Sequence, residues 1–383
     1  MKRYIPIDPP KESRITEPVI AQGALEDILE RRWPGAYRAE DIEIRSIIGK
    51  DLNGKTLLIS RYAGFGDHLW ITRIVRKLKE LYPEVIIDIA GRDLYLMIWE
   101  NNPDIRNAYS YPIPAHIFDQ ADYHLSWEST LQEDRKGINV YDLFASKAGI
   151  ELDPDEKHPI YHPPRWALKN AKKILQKAGF EASDKIIMIH MGSSTTWKSW
   201  PAEYCLKLGL LLRSLGAKII LAGNRNTFPF SDLPPLDGLI QTCYRKHEWK
   251  GRIDFCTMEE SVALMLNCDL LIGQDSALTH FSAAIGIPNI PIYGPFPAHA
   301  YVGSYSNCDP VSPNPGICKR MPCFPHLDNI CPYQDEKGYS PCLKSITPEW
   351  IARIASRKLD LHSEGVPGMD LKIIDPEKEI ANA

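Results

Sequence analysis

The chain has 383 residues, 44% apolar and 25% charged, a globular composition of about two domains that excludes disordered, collagen-like and small disulfide-framework classes. Lysine and arginine total 45 against 49 acids, a formal charge of −4, so there is no electrostatic case for tight duplex nucleic-acid binding or an anionic-membrane partner. No run approaches the length of a membrane span, and the opening Met1-Lys2-Arg3-Tyr4-Ile5-Pro6 lacks the apolar stretch of a signal peptide, so a cytoplasmic protein without a transmembrane segment is expected.

Residues 1–50 mix polar and apolar character, with one helix expected over Ala24 to Arg32. Asn53-Gly54 is a turn signal before the first convincing strand, Thr56–Ser60. A helix over Asp67–Tyr82, with apolar positions at 71, 74, 75, 78 and 81, and a strand Val85–Ala90 complete a βαβ unit. Proline clusters mark joints between segments, and the run from Pro154 to Pro164 is the best domain boundary. Beyond it the alternation repeats: strand Lys185–Met191, helix Pro201–Leu215 closed by Gly216, strand Ala217–Ala222, and helix Met258–Asn267 opened by the capping box of Thr257 and Glu260. Strand Asp269–Gly273, helix Ala277–Ile285 closed by Gly286, and strand Asn289–Tyr293 follow. A helix with proline at its first position is expected from Thr347-Pro348. Strands alternating with helices in two blocks imply two doubly wound, largely parallel sheets facing a cleft, with ligands at the carboxyl ends of the strands.

Three segments at those strand ends carry residues suited to chemistry. In Arg61-Tyr62-Ala63-Gly64-Phe65-Gly66-Asp67-His68 two glycines turn the chain tightly into a helix and bring an acid to its start. Leu69 stands where a dinucleotide fingerprint has its third glycine, so a nicotinamide site is not expected. Asp67 reads equally as a helix N-cap or as a carboxylate placed to take a proton from an acceptor hydroxyl. His190-Met191-Gly192-Ser193-Ser194-Thr195-Thr196-Trp197-Lys198-Ser199-Trp200-Pro201 sets small hydroxyl residues and a lysine before a helix, which is either a phosphate site or a solvated loop. Gly273-Gln274-Asp275-Ser276-Ala277-Leu278-Thr279-His280 opens a helix whose first N–H groups favour an anion, with His280 either a ligand contact or a packing residue. Trp70, Trp127, Trp197 and Trp200 are compatible with sugar stacking, but such a set is more often plain core.

Cysteines number nine, and five of them (Cys308, Cys318, Cys323, Cys331, Cys342) fall between 308 and 342. In a reducing compartment they suggest a metal before disulfides. Cys318, Cys323, Cys331 and Cys342, three of them beside Pro322, Pro332 and Pro341, suit tetrahedral thiolate coordination of structural zinc or iron. A set of reduced, buried cysteines is the other reading.

In order and spacing, the Gly-x-Gly-Asp turn, the His-x-Gly-Ser…Lys-x-Trp-Pro segment, the Gly-x-Asp-Ser…His helix start and Tyr293-Gly294-Pro295 resemble glycosyltransferase family 9, the ADP-heptose:lipopolysaccharide heptosyltransferases, over about 55–355. The resemblance implies a GT-B α/β fold: an N-terminal extension (1–50), a Rossmann-like acceptor domain (51–164), a Rossmann-like donor domain (165–346, with a Cys-rich segment 308–342), and a crossover helix with tail (347–383). It implies inverting transfer of a heptose or related sugar from a nucleotide-diphosphate donor to a glycan or protein hydroxyl, with no cofactor or metal required for chemistry. Asp67 matches the catalytic base and Lys198 the lysine near the donor phosphates. Gly66, Ser193, Ser194, Thr196, Asn224, Asp275, Ser276, Ala277, Leu278, Thr279 and His280 fall in the donor-binding segments. The cysteine cluster is similar to the four-cysteine iron finger of autotransporter-directed protein heptosyltransferases, which also carry an extra N-terminal domain; the oligomeric state, a homo-oligomer included, is left open by the sequence.

Where the family commonly has an acid near the donor ribose, this chain has Gly223-Asn224-Arg225-Asn226-Thr227. Ala277 stands for a frequent glycine, Arg73 for a frequent proline, and residues 1–50 have no counterpart in the lipopolysaccharide enzymes. Donor and acceptor identity therefore stay open. A non-catalytic GT-B binding module, a nucleotide-sugar epimerase or hydrolase of the same fold, and a transferase acting on modified DNA bases are the competing readings.

Overall fold

Short runs of aliphatic residues, each followed by an amphipathic stretch of helix length, build two parallel sheets, as the alternating pattern predicts. The fold is that of a computed structural model, which describes residues 2–7, 9, 13, 15–21, 24–127, 138–193, 195–223, 239–243, 256–294, 296–313 and 331–361. The chain divides into two compact units. The first is Met1–Pro164 with Ala283–Gly286 and Pro297–Ser306; the second is Arg165–Ser282 with Ile287–Phe296 and Asn307–Ala383.

The first unit runs β1 (Lys2–Pro6), β2 (Val19–Ala21), α1 (Ala24–Arg32), β3 (Tyr37–Asp41), β4 (Thr56–Ser60), α2 (Phe65–Leu81), β5 (Ile86–Gly91), β6 (Asn107–Ser110), β7 (Ile113–Pro114), β8 (Tyr123–Ser126) and α3 (Val140–Ala148), with shorter helical turns between. Its parallel sheet has the order β6-β5-β4-β8. The N-terminal extension forms a second, antiparallel sheet, β3-β1-β2-β7, whose last strand comes from beyond β6. Ile20 of β2 is fully buried and packs in one cluster with Leu58 of β4, Ala90 of β5 and Ile113 of β7. The extension is thus tied into the first unit through both a strand pairing and a shared core.

The second unit runs α4 (Arg165–Lys177), β9 (Ile186–Met191), α5 (Ala202–Ser214), β10 (Lys218–Gly223), β11 (Leu239–Cys243), α6 (Met258–Met265), β12 (Leu270–Gln274), α7 (Ala277–Ala284), β13 (Asn289–Ile292) and α8 (Pro348–Leu359), again with shorter turns between. All strands are parallel, in the order β11-β10-β9-β12-β13. α6 carries the capping box expected of Thr257 and Glu260, each binding the other's backbone N–H. The helix at Pro348, expected as a crossover, is capped by Thr347 and places Ile351, Ala352 and Ala355 in the same core as Leu208 and Leu212 of α5. Trp70, Trp127, Trp197 and Trp200 are all at most 7% exposed, so the core reading of the tryptophans holds. Among the described residues no helix is long and apolar enough to cross a membrane.

Candidate active site

In each parallel sheet the strand order reverses once: between β4 and β8 in the first unit, and between β9 and β12 in the second. Helices leave such neighbouring strands on opposite faces, and the crevice at their carboxyl ends is where doubly wound folds hold ligands. Asp67 falls at the first of these points, and Lys198, Asp275 and Ser276 at the second.

In the first unit, α2 begins two residues earlier than the sequence predicts. Its N-cap is Gly64, so Asp67 is not the cap but the third helical residue. Its Oδ2 accepts the Gly64 N–H at 3.2 Å, the acidic half of a capping box. Its Oδ1 accepts from Arg61, whose guanidinium also donates to the Trp127 carbonyl just past β8. Arg61 is 1% exposed, whereas the Asp67 side chain keeps 15%. Gly66 lies in the same helical turn.

Behind this pair sits His68. Its Nδ1 accepts the Trp99 Nε1–H at 3.0 Å, which leaves the proton on Nε2 to be donated to the Arg61 carbonyl at 3.1 Å. Complete burial pushes the imidazole down to about 4, so it stays neutral in this network. Gly91, the last residue of β5, is required here: a Cβ would stand 2.5 Å from His68 Cε1. Arg73, the departure on α2, is buried and bonds Glu156 at 2.5 Å and Glu80 at 3.3 Å, so its charge is neutralised within the unit.

In the second unit, Ser276 precedes α7 and its Oγ shares a 2.8 Å hydrogen bond with His190 Nδ1 at the end of β9. His190 is buried, and burial alone pushes it to about 4. Gln274, fully buried at the end of β12, accepts the Trp200 N–H at 2.9 Å and donates to the His190 carbonyl, bracing the 192–200 loop against the start of α7. Lys198 pairs with Asp275 at 2.9 Å, and its ammonium lies 4.8 Å from the Phe296 ring centre. The structure thus brings Lys198, Asp275 and Ser276 to one crevice.

Other nominated residues are placed differently. The Ser193 hydroxyl donates to the Thr195 carbonyl, and its N–H donates to Ser199 Oγ, so this part of the loop bonds itself. Thr196 is exposed. Leu278, Thr279 and His280 have buried side chains; Thr279 Oγ1 donates to the Gln274 carbonyl and its N–H donates to the Ser276 carbonyl at 3.2 Å, so these side chains are turned into the core rather than offered to a ligand. Of the nominated residues, Ser194, Asn224, Cys318 and Cys323 lie outside the described residues. Cys331 and Cys342 are buried thiols. Among the described residues no group of three or more His, Cys, Asp or Glu is gathered as a metal site.

Sequence reasoning missed Arg61, His68, His190 and Gln274 as parts of these sites. Arg61 and His68 flank the Gly-x-Gly-Asp turn, and His190 ends a strand of the second nominated segment. For His190 and Gln274 the signal was a polar residue at the end of an apolar strand, which only a switch-point argument would have singled out.

Two acid-sensitive groups follow from this arrangement. A histidine that titrates near 4 folded and near 6.5 unfolded leaves the unfolded chain with more protons between those values, so stability falls as pH drops through that window. The loss is about 3 kcal/mol for each of His68 and His190 when the window is fully crossed. Denaturant midpoints between pH 7 and pH 4.5 should decline, and the decline should be shallower in His190→Asn. An unchanged slope in that variant contradicts burial of a neutral His190.

The chain belongs to glycosyltransferase family 9 (heptosyltransferase), which residues 140–334 match. Over 157 residues it is 28% identical to lipooligosaccharide heptosyltransferase 2 of Haemophilus influenzae, a match that spans 40% of each chain. Its fold is shared with a family 9 glycosyl transferase from Veillonella parvula (TM-score 0.60, 17% identity, 81% of this chain and 98% of that one). It is shared too with the dodecameric, iron-containing glycosyltransferase TibC of enterotoxigenic E. coli (TM-score 0.56, 13% identity, 84% and 79%), which has also been solved with ADP-D-beta-D-heptose. The architecture is accordingly GT-B, built from parallel α/β sheets.

Proposed function

We propose that the protein is an inverting glycosyltransferase that moves a heptose or related sugar from a nucleotide-diphosphate donor, ADP-heptose or a close analogue, to a hydroxyl of a glycan or protein. The observation that carries this reading is the Asp67 carboxylate. It stands in the first turn of α2 at a sheet switch point, oriented by two donors and still open to solvent.

In the proposed reaction the acceptor hydroxyl gives its proton to Asp67 as its oxygen bonds the anomeric carbon. The anomeric carbon–phosphate oxygen bond breaks on the opposite face, and the nucleoside diphosphate leaves with the electron pair. Charge on the departing diphosphate is met by Lys198, by the Ser276 hydroxyl and by the positive end of the α7 dipole. His190 holds Ser276, and Gln274 holds the loop that carries Lys198. Ser193, Ser194, Thr196 and Asn224 are proposed as further donor contacts.

A structural iron or zinc on Cys318, Cys323, Cys331 and Cys342 belongs to the same proposal. Four thiolates suit such an ion, and Cys331 and Cys342 are buried as its ligands would be. Its contribution would be to fix the loop, and no step of the transfer runs through it.

The test is a panel of nucleotide-diphosphate sugars, read by thermal shift and by nucleotide release. ADP-heptose at a hundred times its dissociation constant should stabilise the protein by about 2.7 kcal/mol and be turned over. Neither stabilisation nor release with any donor would overturn the reading in favour of a non-catalytic module.

A further inference from the structure

The mechanism above uses Asp67 but leaves unexplained why a full guanidinium is buried beside it. Arg61 lies one residue past β4, is 1% exposed, and donates from Nη1 to the Trp127 carbonyl and from Nη2 to Asp67 Oδ1. Its Nε has no partner among the described residues, and the guanidinium carbon stands 5.6 Å from the Phe144 ring centre. Burying such a group is expensive, because desolvation offsets much of the attraction to its counter-charge. A structural tie between β4 and β8 would need only a neutral donor to the Trp127 carbonyl.

The remaining contacts point the same way. The Arg61 carbonyl accepts from His68 Nε2, whose other nitrogen is fixed by Trp99, and the Arg61 N–H donates to the Ala90 carbonyl at 3.0 Å. Arg61 is therefore held at both ends of its backbone before its side chain reaches the carboxylate. With Oδ1 bound by Arg61 and Oδ2 by the Gly64 N–H, the Asp67 carboxylate cannot rotate without breaking one of two bonds. A rigid fork that spans Trp127 and Asp67 is a task lysine cannot perform, since an ammonium is a point donor without fixed directions.

We infer that Arg61 is the positioning residue of the base: its guanidinium, anchored on the Trp127 carbonyl, fixes the plane of the Asp67 carboxylate so that the free lone pairs stay aimed at the acceptor hydroxyl. The inference rests on the assignment of Asp67 as base. Misaim of a base by a fraction of an ångström lowers turnover without touching donor affinity, because proximity and orientation act on the chemical step.

Arg61→Met, Arg61→Lys and Asp67→Asn tested together on the full chain separate the possibilities. ADP-heptose serves as probe, with ADP release giving kcat and KM, and each variant is also crystallised. Arg61→Met is expected to lower kcat about 100-fold with donor KM within about twofold of the parent, and Arg61→Lys to recover about a tenth of the parent kcat. The crystal structures of both should show the Asp67 carboxylate in more than one orientation. If Arg61→Met does not fold, Arg61→Lys decides by the same two readouts. A parental kcat in Arg61→Lys, a rise in KM that accounts for the whole loss, or a single unmoved Asp67 carboxylate in the variants overturns the inference. Asp67→Asn with parental turnover overturns instead the base assignment beneath it, and the carboxylate orientations still judge whether Arg61 holds that side chain.

Discussion

Asp67→Asn is expected to lower sugar transfer by a factor on the order of a thousand or more, since the carboxylate is the proposed proton acceptor and an amide cannot take its place. The amide is the same size, so its oxygen can still serve one of the two donors, the Arg61 guanidinium or the Gly64 N–H. The other donor then faces an NH2 group, and the buried guanidinium loses its counter-charge. A stability loss of about 1–3 kcal/mol should accompany the loss of activity, kept moderate by the partial exposure of the Asp67 carboxylate. Donor affinity is expected to persist, because the proposed diphosphate contacts come from the second unit. Single-turnover measurement at saturating donor checks the claim; a variant that turns over at the parental rate removes Asp67 from the mechanism.

Lys198→Ala is expected to weaken donor binding about 10–100-fold, the range of one charge-assisted hydrogen bond to a phosphate. The structure adds a reason for the upper end. Lys198 now balances Asp275 at 2.9 Å, so its removal leaves a partly buried carboxylate, 15% exposed, facing the same anion. Asp275→Asn in the Lys198→Ala background should recover part of the affinity, because it removes that repulsion. Calorimetric titration of the donor into the three variants checks both statements. Unchanged affinity in Lys198→Ala would place the diphosphate elsewhere.

Much of the architecture was legible because parallel sheets are buried on both faces and write themselves as apolar runs. β4 matches the expected Thr56–Ser60, and β9, β10, β12 and β13 differ from expectation by a residue at their ends. α7 ends ahead of Gly286, whose φ of +77° requires a glycine. The extension was illegible for the opposite reason. Its strands are antiparallel and short, three residues in β2, and the strand that completes their sheet, β7, lies some ninety residues further along the chain. No local pattern encodes that pairing.

The candidate site residues divide along the same line. Asp67, Lys198, Asp275 and Ser276 were legible because turn glycines, helix starts and a lysine before a helix have local signatures. Their supports were not. Arg61, His68, His190 and Gln274 act through contacts with residues 6 to 86 positions away, and Arg61 meets Trp127 only because β4 and β8 are neighbours in the sheet. The early start of α2 has a similar cause. The capping box uses Gly64 rather than Asp67 as cap, and so turns the carboxylate from a structural plug into a side chain that receives the cap's N–H while keeping an open edge.

Donor affinity and nucleotide release measured side by side on the parent chain and on Asp67→Asn test the central claim most directly, with ADP-heptose as donor. The expected result is equal affinity in the two proteins, with release in the parent and almost none in the variant. Equal release from both would contradict a role for Asp67 as the base of a glycosyl transfer.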